Sequence, residues 1–317
     1  MTAVPDTVLR HSQEWLDRFA RRGHDPAPLA AGMEGAIYDL GGGLIAKVWR
    51  DRGTAGLERM QAFYADVAGA GLPFETPEIL SVERVDGRSV TYERKLPGEQ
   101  LQHLLAAGEA ETGEPAVACV AGILGALAAV PATASMRELA ALDEDRPLWA
   151  GAGSFPAALD GLLDRRVARF GPVIRVRLPD FDRRYAALRD RLAGLGGRPD
   201  ALIHGDLLGV NILVDEAARP TAVLDFGFVT TAGDARLDAA ITAAVMNMYG
   251  PHAAQITRDL TARFARDLGY PPEVLLIYQA AYAVATSNAF TSDGSDGHFA
   301  WCLAQLARAD ITEALGL

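Results

Sequence analysis

Leu202-Ile203-His204-Gly205-Asp206-Leu207-Leu208-Gly209-Val210-Asn211-Ile212-Leu213-Val214, followed by Ala222-Val223-Leu224-Asp225-Phe226-Gly227, is the stretch that decides the reading of this chain. Asp206 and Asn211 stand five residues apart, and Asp225 follows Asn211 by fourteen. An aspartate base, an amide oxygen and a second carboxylate in this order suit phosphoryl transfer from a metal nucleotide. One group must receive the acceptor hydroxyl's proton, and two must hold magnesium against the phosphates. The flanks supply a scaffold. Leu202-Ile203 is a short apolar strand that ends at His204. Ile212-Leu213-Val214 and Ala222-Val223-Leu224 are two more β-prone runs around the turn-rich Asp215–Pro220. Such a hairpin puts Asn211 at its entrance and Asp225 at its exit, where one magnesium with its preference for hard oxygen ligands would find both. Turn caps and a strand end would explain each residue singly. They do not explain the joint spacing.

Working outward, a chain of 317 residues exceeds one ordinary core and predicts two lobes. Thirty basic against forty-one acidic residues, a net charge of −11, argue against a general nucleic-acid surface. The two cysteines, Cys119 and Cys302, lie in apolar helical surroundings without paired spacing, which predicts buried thiols. Met1 to Arg10 lacks a signal-peptide pattern. The most hydrophobic run, Ala116 to Val130, is fifteen residues long, too short for a membrane span. A cytoplasmic protein with no membrane association and no obligate protein partner is expected.

Val8, Ser12, Trp15, Leu16 and Phe19 share one helical face, with Arg10 among the polar residues opposite. Strands are predicted at Ala36–Leu40 and Leu44–Trp49, joined by the glycine triplet 41–43. A helix with a Leu57, Met60, Tyr64, Val67 stripe follows, then a hairpin about Asp86-Gly87. Beyond Leu96-Pro97-Gly98 the pattern turns helical: Gln100–Ala107, Pro115–Val130, Phe155–Phe170, Pro179–Leu195, and four more helices after Ala235, separated near Pro251, Pro271-Pro272 and Asp293-Gly294. The expected fold class is α+β, with a β-rich nucleotide-binding lobe over residues 1–97 and a helical catalytic and acceptor-binding lobe over 98–317.

Lys47 is the only lysine before Lys95 and interrupts an apolar strand, so it needs a partner or an anionic ligand. It is read as a ligand of nucleotide phosphates, aligned by Glu58 on the next helix; a snorkelling lysine and a solvated glutamate are the plain alternative. Gly32-x-x-Gly35 is a candidate backbone approach to phosphates. Within it, Glu34 is expected to point outward, or else the loop contacts the nucleotide only loosely, since a carboxylate aimed at phosphates is repelled.

These residues resemble the aminoglycoside phosphotransferase family, antibiotic and small-molecule kinases with the protein-kinase fold. The resemblance rests on His204-Gly205-Asp206 with Asn211, on Leu224-Asp225-Phe226-Gly227, and on Gly233-Asp234-Ala235-Arg236-Leu237-Asp238. Lys47 matches the family's lysine strand and Glu93–Gly98 its hinge. The resemblance implies a two-lobed protein-kinase-like fold and transfer from ATP or GTP with Mg2+ to a small hydroxylated molecule. Asp206 would be the base, with His204 supporting the loop. Asn211 and Asp225 would bind metal, and Asp238 would brace the catalytic loop from below. Tyr92, Glu93 and Lys95 would lie against the nucleotide base. One departure is plain: Leu208-Gly209-Val210 stands where the family commonly has His-Pro-Gly. An antibiotic kinase is the first expectation; a kinase of a sugar, an amino alcohol or a fructosamine-type metabolite is the second, and a non-catalytic nucleotide-binding regulator the third. Asp293 and Asp296, in a polar loop between two helices, are candidate contacts for a cationic acceptor, with a solvated turn as the alternative.

Overall fold

The computed structural model describes residues 12–32, 34–104, 113–196 and 198–317. Val8 and Arg10 of the predicted first helix, and residues 105–107 of the Gln100–Ala107 helix, lie outside these. The chain divides into two compact units, Met1–Gly98 with Thr221–Leu224, and Glu99–Pro220 with Asp225–Leu317. A β-sheet region precedes a mainly helical one, so the class is α+β.

The first unit begins with α1 (Gln13–Arg21), capped by the Ser12 hydroxyl, which accepts from the Trp15 amide. Five strands follow: β1 (Ala27–Ala31), β2 (Gly35–Gly41), β3 (Leu44–Trp49), β4 (Ile79–Val85) and β5 (Arg88–Arg94). They form one antiparallel sheet in the order β1-β2-β3-β5-β4. Helix α2 (Thr54–Ala68) joins β3 to β4 and buries Leu57, Met60, Phe63, Tyr64 and Val67. At the β4–β5 turn Asp86 and Gly87 both take positive φ, 47° and 79°, as a two-residue hairpin with an Asp-Gly pair requires. Side chains alternate across the sheet. Tyr38, Ala46, Val48 and Val90 pack with Phe19 of α1 on one face, which leaves Lys47 on the other. Thr221–Leu224 joins this unit through the backbone: Glu75 N–H donates to Thr221 O at 2.9 Å, and Val223 N–H donates to Glu75 O at 3.0 Å.

The second unit opens with β6 (Glu99–Gln100), α3 (Leu101–Leu104), α4 (Glu114–Ala128) and the short α5 (Ala134–Arg137). Then come α6 (Phe155–Arg177) and α7 (Phe181–Ala193). Helix α6 runs seven residues beyond the predicted Phe170 and contains Pro172. Burial of Gly171 and Ile174 holds the helix through the proline, which costs it one backbone bond. The segment from residue 201 to residue 233 contributes β7 (Ala201–Ile203), a 3-10 turn over Gly209–Asn211, β8 (Ile212–Val214), β9 (Pro220–Val223) and β10 (Thr231–Gly233). β8 pairs with β6, and β7 with β10. Five helices end the chain instead of four: α8 (Ala235–Val245), α9 (Ala253–Leu268), α10 (Pro272–Thr286), α11 (Gly297–Leu306) and α12 (Ala309–Leu315). The unpredicted break lies at Arg308, where neither Pro nor Gly marks it. Extended at φ −60°, ψ 141°, Arg308 grips Asp310 with both arms of its guanidinium and also reaches Gln305 and Gln279. Both cysteines are free and buried, and burial raises their thiols to about 11 for Cys119 and about 12 for Cys302. Among the described residues no helix is long and apolar enough to cross a membrane.

Candidate functional site

His204, Gly205 and Asp206 follow directly on β7, and two sets of bonds fix their path. Asp238, in the first turn of α8, accepts from the backbone N–H of His204 and of Gly205, each at 2.9 Å. Its carboxyl is fully buried; burial pushes it upward, while nearby His204 and the two N–H donors work in the other direction. Thr230, just before β10, donates its hydroxyl to the His204 carbonyl. Gly205 has φ +78°, and a Cβ there would stand 2.6 Å from the Val229 carbonyl carbon. Conformation and space both demand glycine. Asp238→Ala would orphan two buried N–H groups, so a loss of roughly 2–5 kcal/mol is expected. Thermal unfolding of the variant measures it; unchanged stability would mean the loop does not depend on this brace.

His204 is fully buried and sits 4.4 Å, ring to ring, from Phe226. Its Nδ1 accepts from the Asp206 N–H at 3.2 Å, which places the proton of a neutral ring on Nε2. The buried ring thus ties the backbone of residue 206 to that of residue 204. Asp206 itself is half-buried, and its charge is felt by buried Tyr282 on α10, whose hydroxyl is raised well above its ordinary value, first by burial and then by Asp206.

Asn211 ends the 3-10 turn. Its Nδ2 donates to the Asp206 carbonyl at 2.9 Å, which turns the amide so that Oδ1 is its remaining oxygen donor. The loop therefore closes on itself with Leu208-Gly209-Val210 between the two residues. Asp225 is exposed and holds φ +54°, a left-handed conformation that few non-glycine residues adopt and that often marks a functional position. Among the described residues no group of three or more His, Cys, Asp or Glu has metal-binding spacing; a site of one amide and one carboxylate is not of that kind.

In the first unit, Lys47 Nζ donates to Glu34 Oε2 at 2.9 Å and lies 3.9 Å from the Trp49 ring centroid. Arg52 reaches the other Glu34 oxygen, also at 2.9 Å. Burial alone would raise the Glu34 carboxyl, but the two cations outweigh it and hold it below the usual range. Two expectations change here. Glu34 does not point outward; it turns onto the lysine. Glu58 is exposed on α2, and a carboxylate that pairs with Lys47 is Glu34.

Gly35 lies so close to β3 that a Cβ would stand 2.2 Å from the Val48 carbonyl oxygen, so strand packing explains this glycine. Gly32 has open space around it and closes the turn with its N–H on Gly35 O at 2.9 Å. The three hinge residues separate. Tyr92 pairs with Ala46 and packs edge-on against Phe19, so its ring lies on the α1 face, away from Lys47. Any contact to a nucleotide on the Lys47 face would have to come from its backbone. Glu93 is buried on the Lys47 face, where it accepts from the Thr91 hydroxyl. Lys95 pairs with Asp39 at 2.5 Å.

Asp296 is the N-cap of α11: it accepts from Phe299 N–H at 2.8 Å and from the Thr291 hydroxyl. Asp293 is exposed and accepts from the Ser295 N–H at 3.1 Å. Both have structural duties in the turn, which is the alternative to a substrate contact.

The family model described as the Phosphotransferase enzyme family (APH) matches residues 25–282. No curated protein matches the sequence. Among solved structures, aminoglycoside phosphotransferase APH(3'')-Id from Streptomyces rimosus, in complex with ADP and streptomycin, aligns at 15% identity and a TM-score of 0.52, covering 86% of this chain and 99% of its own. The GDP complex of aminoglycoside 2'-phosphotransferase-IIIa aligns at 16% and 0.57, covering 92% and 96%. Macrolide 2'-phosphotransferase MphH from Brachybacterium faecium aligns at 21% and 0.52, covering 93% and 98%. These likenesses establish a shared fold, and the family match spans most of the sequence. The chain belongs to the phosphotransferase enzyme family.

Proposed function

We propose that the protein transfers the γ-phosphoryl group of ATP or GTP to a hydroxyl of a small molecule. The observation that carries this is the loop closed by Asn211 on the Asp206 carbonyl and braced by Asp238, which presents a carboxylate and an amide oxygen together. Asp206 would accept the hydroxyl proton as the acceptor oxygen forms its bond to phosphorus. The bond from phosphorus to the bridging oxygen breaks, and ADP or GDP leaves with the electron pair. Asn211 Oδ1 and the Asp225 carboxylate are hard oxygen donors and fit Mg2+. Mg2+ would neutralise charge on the phosphates when bound. Lys47, with Arg52 beside it, is the candidate phosphate ligand of the first unit.

Glu34 occupies that lysine, so an incoming phosphate competes with it. Glu34→Gln is expected to tighten ADP binding by roughly three- to tenfold, the scale of a partly exposed ion pair, as read by calorimetry. Weaker binding would instead make Glu34 the residue that aligns Lys47, the role expected of Glu58.

An antibiotic acceptor is the first reading, supported by family membership and by neighbours described as aminoglycoside and macrolide phosphotransferases. A cytoplasmic metabolite kinase for a sugar, amino alcohol or fructosamine-type substrate is the second. A panel of polycationic and weakly charged hydroxylated antibiotics, neutral sugars and nucleosides, assayed for ADP formation at low and raised salt, separates them. Preference for an antibiotic of either kind supports the first, with loss of turnover at raised salt marking a polycationic acceptor; turnover of sugars or nucleosides in preference to antibiotics favours the second.

A further inference from the structure

Two of the five exposed large hydrophobic side chains among the described residues, Tyr249 at 65% and Phe290 at 46%, belong to one aromatic array in the second unit. Phe228, three residues after Asp225, stacks on Phe290 with centroids 6.2 Å apart and planes at 11°. Phe290 meets His298 edge to face at 5.0 Å, and His298 stacks on Trp301 at 5.4 Å. Trp301 in turn packs edge-on against Tyr282 at 6.3 Å. The array thus runs from the segment carrying Asp225 to the tyrosine that feels Asp206.

Its polar groups are tied inward. His298 receives or donates a bond with the Tyr249 hydroxyl at 3.2 Å through Nδ1, and with Thr286 at 3.0 Å through Nε2. Burial lowers its pKa, so the ring is neutral at pH 7. Asp296 is committed to capping α11. Trp301 Nε1 is buried with no hydrogen-bond partner, a choice that costs stability where phenylalanine would not. Half-exposed rings beside a reactive loop are unusual for packing alone. Apolar walls with few polar groups are how small-molecule sites are built.

Resting on the phosphotransfer reading above, we propose that Phe290 and Tyr249, backed by Phe228, His298 and Trp301, form the acceptor wall. Its chemistry selects a hydroxylated molecule with an aromatic or aliphatic face and little positive charge, in preference to a polycation. Ring stacking and apolar contact would hold that face while a hydroxyl is presented to Asp206.

Calorimetry with two probes tests this without requiring turnover: 4-nitrophenyl β-glucoside, neutral and flat, and kanamycin, polycationic. The expected result is tighter binding of the aryl glucoside, weakened about tenfold in both Phe290→Ala and Tyr249→Ala. Both positions are half-exposed or more, so the variants should fold. Failure of the glucoside to bind, tighter binding of kanamycin, or indifference to both substitutions would overturn the proposal. ADP and GDP titrations, run separately, report on the phosphotransfer reading by itself.

Discussion

Asp206→Asn is expected to lower the rate of phosphoryl transfer by about 10²–10⁴-fold, the usual contribution of a positioned general base. Nucleotide affinity should stay nearly constant. Two bonds that hold the loop run through the backbone of residue 206: its N–H donates to His204 Nδ1, and its carbonyl accepts from Asn211 Nδ2. Asparagine keeps both bonds and removes the charged proton acceptor. Single-turnover rates in rapid quench separate the chemical step from binding. A fall of less than about tenfold would mean that Asp206 is not the base.

Asp225→Asn is expected to weaken Mg2+-nucleotide binding by roughly 10²-fold while affecting metal-free nucleotide much less, since a full charge beside a divalent cation is lost. Asparagine is the informative replacement. At φ +54° it is tolerated, whereas alanine would add backbone strain of about 1 kcal/mol and confuse the result. Asn211→Ala should cost less affinity, because it removes a dipole, yet it should also slow transfer by freeing the Asp206 carbonyl. Calorimetry with Mg2+ and a non-hydrolysable ATP analogue reads both variants. Unchanged affinity in Asp225→Asn and Asn211→Ala would show that no cation binds there.

The conformation of the segment from Leu202 to Val214 was legible because its contacts lie within a short span. Asn211 bonds to the Asp206 carbonyl five residues away, and the strands that flank the pair show as apolar runs. The Asp86-Gly87 turn and the Leu57/Met60/Tyr64/Val67 stripe were legible for the same local reason. What escaped depends on partners distant in sequence or on packing. Strand β1 contains Pro28 and exposes all five of its residues, so it has no alternation to betray it; it forms only because β2 offers an edge. Helix α6 passes Pro172 because Ile174 and Gly171 are buried by neighbours the sequence does not name. The pairing of Lys47 with Glu34 arises from sheet register, which brings the turn before β2 beside β3. The aromatic array joins residues from 228 to 301, each of which reads singly as core or loop.

The loop bearing Asp206 and Asn211, with Asp225, is proposed to perform Mg2+-dependent transfer to a hydroxyl. The most direct measurement is the fate of the γ-phosphate of labelled ATP or GTP, incubated with wild-type protein and hydroxylated acceptors, with Mg2+ or with EDTA. Label recovered as a phosphate ester of an acceptor with Mg2+, and lost with EDTA, is the expected result. Nucleotide binding without label in any organic product, or ester formation that EDTA leaves unchanged, would contradict it.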